Sequence, residues 1–247
     1  MDIKKIQNRL LEMAIDTTTI LEKHNIPYMI IFGTLLGAVR HQGFIPWDDD
    51  FDIFLFDDSY DEAIKHLKNE LNENFFVEDK TIEPNYFHAW NRVKDKKTIA
   101  KCCFYEHDNI YHNKGLIVDL YRIKKLKFSE LQLYRAKEYL SYLERRKKLN
   151  IIDEDVYNTK TLELKQKIKV ESAKTIDNND FELLGMSLIE EKMFLEDVFP
   201  LKKYKFENTE FYGPNNAHNI LTQHFGDYMK LPPENERKSH YDSVKFL

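Results

Sequence analysis

Between residues 3 and 24 the apolar side chains Ile6, Leu10, Leu11, Met13, Ile20 and Leu21 recur at helical spacing, which predicts an amphipathic helix. Pro27 interrupts it, and the apolar run "PYMIIF" (27–32) reads as a short strand. Gly33-Thr34 turns the chain. "LLGAVRHQ" then predicts a short helix with Gly43 at its stop position. "GFIPWDD" is a loop and "DFDIFLF" a strand. Ser59 is the expected N-cap of a helix over 60–73. From 75 to 126 the pattern is strand-like, in "FFVED", "YFHAWNRVK", "TIAKCCFYE" and "GLIVDLYRIKKL". Beyond about 128 the character changes. "SELQLYRAKEYLSYLERRKKLN" and "DFELLGMSLIEEKMFLEDVF" read as long amphipathic helices, with a charged helical stretch near 160–175 between them. The expected fold is therefore α+β. Residues 1–127 form a mixed-sheet core with flanking helices, and residues 128–247 form a helical part that completes the same unit.

Composition narrows the function classes. A chain of 247 residues, 42% hydrophobic and 13% aromatic, has the apolar content for a sizeable core, and chains of this length bury roughly 70–75% of their unfolded surface. The formal net charge of −5 argues against a dedicated nucleic-acid binder. The two cysteines, Cys102 and Cys103, are sequence neighbours and cannot staple a fold. The first helix carries charges throughout, unlike a signal peptide, and no apolar run approaches the ~20 residues of a membrane span. The expected location is cytoplasmic.

The chemistry concentrates in "FGTLLGAVRHQGFIPWDDDFDIFLF" (32–56). Asp48, Asp49, Asp50 and Asp52 repel one another, and alternation along a strand puts Asp50 and Asp52 on one face with Phe51, Ile53 and Leu55 on the other. Crowded carboxylates raise one another's proton affinity unless a cation sits between them, and hard ions with oxygen ligands, Mg²⁺ or Mn²⁺, suit such a set. The bland alternative is an acidic strand start facing water. An EF-hand loop would need Gly where Ile53 stands and Glu where Ser59 stands. A P-loop would need Gly-Lys-Ser/Thr after Gly33. Both are absent. A helix starting at Thr34 offers free backbone N–H groups to an anion. Asp119, a lone acid in the apolar "GLIVDLYRI", is either a third site carboxylate or a strand-end turn residue.

"GTLLGAVRHQGFIPWDDDFDI" closely resembles the signature of the LicD-like phosphocholine transferases, whose animal relatives include fukutin and fukutin-related protein. "GLIVDLYRI" resembles the family's second acidic strand, and "LTQHFGDYMKLPP" followed by "ERKSH" its C-terminal segment. The resemblance implies a nucleotidyltransferase-like fold with residues 1–127 as catalytic core. It also implies metal-dependent transfer of phosphocholine, or a related phospho-alcohol, from a CDP-activated donor such as CDP-choline, with release of CMP. The acceptor would be a hydroxyl of a glycan or lipid-linked oligosaccharide, which is compatible with peripheral association at a membrane's inner face. Asp48, Asp50, Asp52 and Asp119 would be metal ligands, with Asp50, Asp52 and Asp119 catalytic, and Gly33 and Thr34 would form the phosphate turn. Arg40, His41 and Arg92 are candidates for phosphate oxygens, though Arg40 could instead pair with an aspartate of the loop. Trp47, Tyr86 and Trp90 are candidates for a choline cage. Tyr228, Lys230, Arg237 and His240 could border the site. A zinc site on Cys102 and Cys103 with His88, His107 and His112 lacks the usual cysteine spacing, so small buried hydrophobes are the preferred reading. Two rival functions use the same residues: attack on the α-phosphorus of a nucleoside triphosphate with pyrophosphate release, and nucleotide or metal binding without turnover.

Overall fold

The computed structural model describes residues 2–102, 110–174, 180–186 and 192–247. α1 (Ile3–Lys23) starts at Asp2, whose side chain accepts from the Lys5 N–H, and its apolar stripe is buried at Ile6, Leu10, Met13, Ile20 and Leu21. β1 (Tyr28–Ile30) follows, then α2 (Phe32–His41), β2 (Asp52–Phe56), α3 (Asp57–Glu70), β3 (Phe75–Glu78), β4 (Asn91–Asp95), β5 (Thr98–Cys102) and β6 (Ile117–Lys127). The remainder is α4 (Leu131–Lys148), α5 (Glu154–Ser172), β7 (Glu182–Gly185), β8 (Lys192–Phe194), α6 (Leu195–Val198), β9 (Lys202–Phe206), β10 (Thr209–Gly213), α7 (Ala217–Phe225) and β11 (Tyr241–Phe246).

The main sheet has seven strands along the path β1-β2-β6-β4-β3, with β7 and β8 joined through β6. Only β2 and β6 run parallel; the other pairs are antiparallel. β6 is long because it serves two neighbourhoods: Asp119–Ile123 pair with β2, while Lys124–Lys127 pair with β7. β2 is buried on both faces, which explains its near-continuous apolar run. Phe51, just before it, packs against Phe206 and Phe211 at ring-centroid distances of 5.4 and 5.2 Å. Phe54 packs against Phe32 and Tyr121 at 5.3 and 5.9 Å. The α+β class is as expected.

Local boundaries depart from the sequence pattern in four places. The chain turns one step early: Phe32 itself takes the left-handed backbone (φ +50°) and opens α2, so Gly33 and Thr34 lie inside the helix's first turn. α2 ends at His41 with Gln42 left-handed (φ 55°), so Gln42 and not Gly43 makes the stop. α3 starts at Asp57 with no side-chain cap, three residues before an N-cap at Ser59 would have placed it; its first-turn acids Asp57 and Asp58 suit the helix dipole. The segment 180–199 is not one helix. Its described residues form β7, β8 and the one-turn α6, because Leu183, Leu184, Met186 and Met193 are all buried, and a helix stripe would leave some of them in water. Residues beyond 128 thus supply strands to the main sheet as well as the helices α4 and α5.

Candidate active site

Sheet register builds the floor of the site. Asp52 on β2 is the register partner of Asp119 on β6. Asp119 is in turn the partner of Arg92 on β4. The three side chains therefore form one row across three strands. Arg92, only 2% exposed, donates from Nε to Asp119 Oδ1 at 2.9 Å. Trp90 Nε1 donates to the same oxygen at 2.5 Å. These two donors hold the Asp119 carboxylate in one orientation.

The preceding loop brings the other acids in. Gln7 of α1 donates to the backbone oxygens of Ile45 and Asp48 at 3.0 and 2.9 Å and clamps the loop from below. The absence of a side chain at Gly33 lets Asp48 lie against the first turn of α2: a Cβ there would sit 2.8 Å from Asp48 Oδ2. The first N–H groups of a helix lack intrahelical acceptors, so the N-terminal turn of α2 turns its positive end toward this acid. Thr34 acts from the protein side. It is buried, and its hydroxyl accepts the Asp52 N–H at 2.9 Å, fixing β2 to α2.

The three adjacent aspartates divide by role. Asp49 is fully buried and accepts the His240 N–H at 2.6 Å and the Tyr241 N–H at 3.2 Å, with His240 Nδ1 3.1 Å away. It fastens the start of β11 to the loop. Asp48 and Asp50 instead face the cavity, and together with His240 they place one ligand atom each within 4.8 Å of one another. His240 Nε2 is 3.4 Å from Asp50 Oδ2. Burial drives the carboxyls of Asp48 and Asp52 well above the usual carboxylate range and raises that of Asp50. The neighbouring acids add to this at each of the three, and His240 or Arg92 opposes it. Burial would lower His240, but its hydrogen bond to Asp49 and the charges of Asp50 and Asp48 outweigh that and push it up to about 9.

These groups line a cavity of about 400 Å³. Gly33, Asp48, Asp50, Asp52, Arg92, Asp119 and His240 supply its polar wall, and Phe32, Trp47, Tyr121, His224 and Phe225 much of its aromatic wall. Of the residues singled out from the sequence, the fold brings together Gly33, Trp47, Asp48, Asp50, Asp52, Arg92 and Asp119. It keeps others apart. Arg40 donates from Nη1 to the Tyr228 oxygen at 2.7 Å and from Nε to His41 at 2.9 Å, so these two tie α2 to the C-terminal segment and lie outside the cavity wall. The alternative pairing of Arg40 with a loop aspartate is not the one formed. Tyr86 belongs to a separate cluster with Phe87 and Tyr111. Trp90 supports Asp119 from beside Tyr121. Arg237 stacks its guanidinium 4.9 Å from the Trp47 ring centre. Cys102 is buried and lines the cavity, whereas Cys103 and His107, needed by the zinc reading, lie outside the described residues. His240 is central here, yet in sequence it stands 188 residues after Asp52, and the surrounding "SHYD" gives no signal of that contact.

Residues 25–139 match the family model described as LicD/FKTN/FKRP, nucleotidyltransferase domain. The chain is similar to the lipopolysaccharide cholinephosphotransferase LicD of Haemophilus influenzae, 29% identical over 244 residues, which covers 92% of this chain and 91% of that protein. It is 36% identical over 134 residues to an uncharacterized protein of Rickettsia typhi, covering 51% of this chain and 41% of that one. Against the human ribitol 5-phosphate transferase FKRP it is 35% identical over 82 residues, 32% of this chain and 17% of the relative.

Proposed function

Because the chain belongs to the LicD-like family, we propose that it is a metal-dependent phosphotransferase that moves phosphocholine from CDP-choline to a glycan hydroxyl and releases CMP. The observation that carries this reading is the convergence of Asp48, Asp50, Asp52 and Asp119 on one cavity with proton affinities raised by burial at the first three. Such a set costs stability unless a cation compensates it. Its donors are all oxygens, which fits Mg²⁺ or Mn²⁺ and not a soft metal. The same four residues would hold the ion. When bound, it neutralises phosphate charge that builds on the leaving CMP.

The protein's own groups supply position. The N-terminal turn of α2 at Gly33 presents N–H groups to a phosphate. Arg92 and Trp90 fix Asp119, and Thr34 fixes the backbone of Asp52. The aromatic wall of Phe32, Trp47, Tyr121 and Phe225 is a surface of the kind that receives a quaternary ammonium. The new O–P bond to the acceptor forms as the O–P bond to CMP breaks, and the hydroxyl proton passes to a carboxylate of the cluster. We read the sheet, with Asp50 and Asp52 on one strand approach and Asp119 on the next, as nucleotidyltransferase-like. Residues 1–127 supply the acids, and residues 128–247 close the same unit through His240 and α7. Among the described residues no helix is long and apolar enough to cross a membrane, so a lipid-linked acceptor would be met at a membrane surface, in our reading the cytoplasmic one.

The test is to incubate the protein with CDP-choline, Mg²⁺ and a panel of glycans and to follow CMP. Release that needs both a glycan and the metal is the expected result. Pyrophosphate release from a nucleoside triphosphate, or nucleotide binding with no turnover, would overturn the proposal.

A further inference from the structure

We infer that His24, His66 and Glu70 form a second metal site, for a transition ion of the zinc class, outside the wall of the acidic cavity. His66 and Glu70 lie four residues apart on α3 and so share one face. His24 is the C-cap of α1. The two imidazoles stack with centroids 3.5 Å apart and planes at 21°. Both aim a nitrogen at one oxygen: His24 Nε2 is 2.6 Å and His66 Nδ1 3.1 Å from Glu70 Oε1. One ligand atom from each of the three lies within 4.8 Å of the others.

A tetrahedral ion with ligand bonds of about 2.0–2.2 Å holds its ligand atoms about 3.4 Å apart. To accept one, the contacts to Glu70 Oε1 open from 3.1 Å at His66 and 2.6 Å at His24, by less than about an ångström each, and the stacked rings tilt so that both nitrogens point at the ion. The other ring nitrogen of His66, Nε2, lies 3.9 Å from Glu62 Oε1, too far for a hydrogen bond but on the side from which a carboxylate orients a ligating histidine. Lys23 Nζ occupies the other carboxylate oxygen, Glu70 Oε2, at 2.6 Å, which leaves Oε1 for the ion. All three side chains are about a quarter exposed, so an ion can enter from solvent and water can complete its shell. Two imidazoles and one carboxylate select zinc, nickel or copper over magnesium or calcium. This separates the site from the carboxylate-dominated cavity, whose wall contains none of the three residues. An ion here would pin the end of α1 to α3, the helix that follows β2 directly.

The test uses Zn²⁺ alone on the full chain, stripped of metal, with a competing chelator to read affinity. Wild type should bind one tight equivalent, and tetrahedral Co²⁺ absorption should appear when Co²⁺ replaces it. The double variant His24→Ala, His66→Ala should lose that equivalent, with affinity down by at least about 100-fold, beyond the loss from an outer partner alone. Glu70→Gln keeps the side-chain shape and should lower affinity as well. Asp50→Asn, which removes a member of the Asp48, Asp50 and His240 group, should keep the equivalent, which shows that it does not sit in the acidic cavity. Zn²⁺ should raise the melting temperature of wild type and not of the double variant. Equal Zn²⁺ affinity in wild type and the double variant, or no tight equivalent in wild type, would overturn the inference and leave a hydrogen-bonded cluster.

Discussion

Two regions of this molecule bury carboxylates and treat them oppositely. At the corner where α1 meets β4 and β5, Asp95 is 2% exposed and its lone pairs are filled. Arg9 donates to it from Nε at 3.0 Å and Nη2 at 2.6 Å, Thr98 Oγ1 at 2.9 Å and the Lys97 N–H at 3.0 Å. In the cavity at the start of β2, Asp48, Asp50 and Asp52 crowd together, and burial with mutual repulsion raises their proton affinity despite Arg92 and His240. A buried acid with a full set of donors is architecture. A set of acids that outnumbers its cations is held against its own preference, which is the mark of a site that binds something positive. Asp49 shows that sequence adjacency does not decide between the two, since it sits inside the acidic run and belongs to the first kind.

The largest effect should come from Asp52→Asn. It keeps the side-chain volume, removes one charge and weakens the metal's hold. Turnover, read as CMP release, should fall by about 10²–10³-fold, the several kcal/mol expected of charge stabilisation by an ion. The metal-free protein should melt at the same temperature or slightly higher. The sign follows from the raised carboxyl: folding disfavours its charged form, so a neutral amide relieves a cost. A collapse of stability in Asp52→Asn would erase the contrast with Asp95.

Asp95→Ala should do the reverse. Arg9, whose side chain is 14% exposed, would lose its partner. Removing one member of a buried pair costs about 3 kcal/mol, read from urea unfolding, or about 6–12 °C in melting temperature for a chain of this size. Turnover per folded molecule should not change.

Much of the site was readable before any coordinates, because its chemistry is local. Asp48, Asp50 and Asp52 lie in one short run, and alternation on a strand suffices to align two of them. Asp119 stood out as an acid in an apolar strand. What the pattern does not place is long-range. His240, expected only to border the site, reaches the cluster because β11 pairs with β5 and its first residues bind Asp49. The partners of Arg40 are Tyr228 and His41, and nothing in the pattern of α2 announces them. Among the elements, α1 was legible because its stripe holds for five turns. The segment 180–199 was not, since short buried strands and a helix share the same apolar content and only tertiary pairing separates them.

Glu78 tests the intermediate case, a buried acid with one cation, Lys94, in direct contact and Arg92 acting from further off. It is fully buried, with Lys94 Nζ 3.3 Å from Oε1. Burial outweighs Lys94 and Arg92 and pushes its carboxyl up to about 6. With the folded value above the unfolded one, its contribution is most favourable below about pH 4.5 and is lost as pH rises through 6. Relative to Glu78→Gln, wild type should therefore lose about 2 kcal/mol of unfolding free energy between pH 4.5 and 7.5. Parallel curves for the two proteins across that range would place Glu78 with Asp95 instead.

The smallest effect is expected just past the far end of β2. Asp57 opens α3 with its side chain a quarter exposed, 3.4 Å from Arg122 Nη1 and 3.7 Å from Lys124 Nζ. Water screens these pairs, so they contribute at most about 1 kcal/mol together with the helix dipole. Five residues of β2 at about 3.3 Å each separate Asp57 from Asp52 by roughly 16 Å, beyond reach of a shared phosphate. Asp57→Asn should thus shift the melting temperature by no more than about 3 °C and leave CMP release and the stabilisation by Mg²⁺ intact. The comparison is a direct one, because Asp57 borders its own cavity of about 270 Å³ with Phe56, Ser59 and Phe199. If Asp57→Asn abolished CMP release while Asp52→Asn spared it, the reaction would belong to that second cavity, and the crowded acids at the start of β2 would be architecture after all.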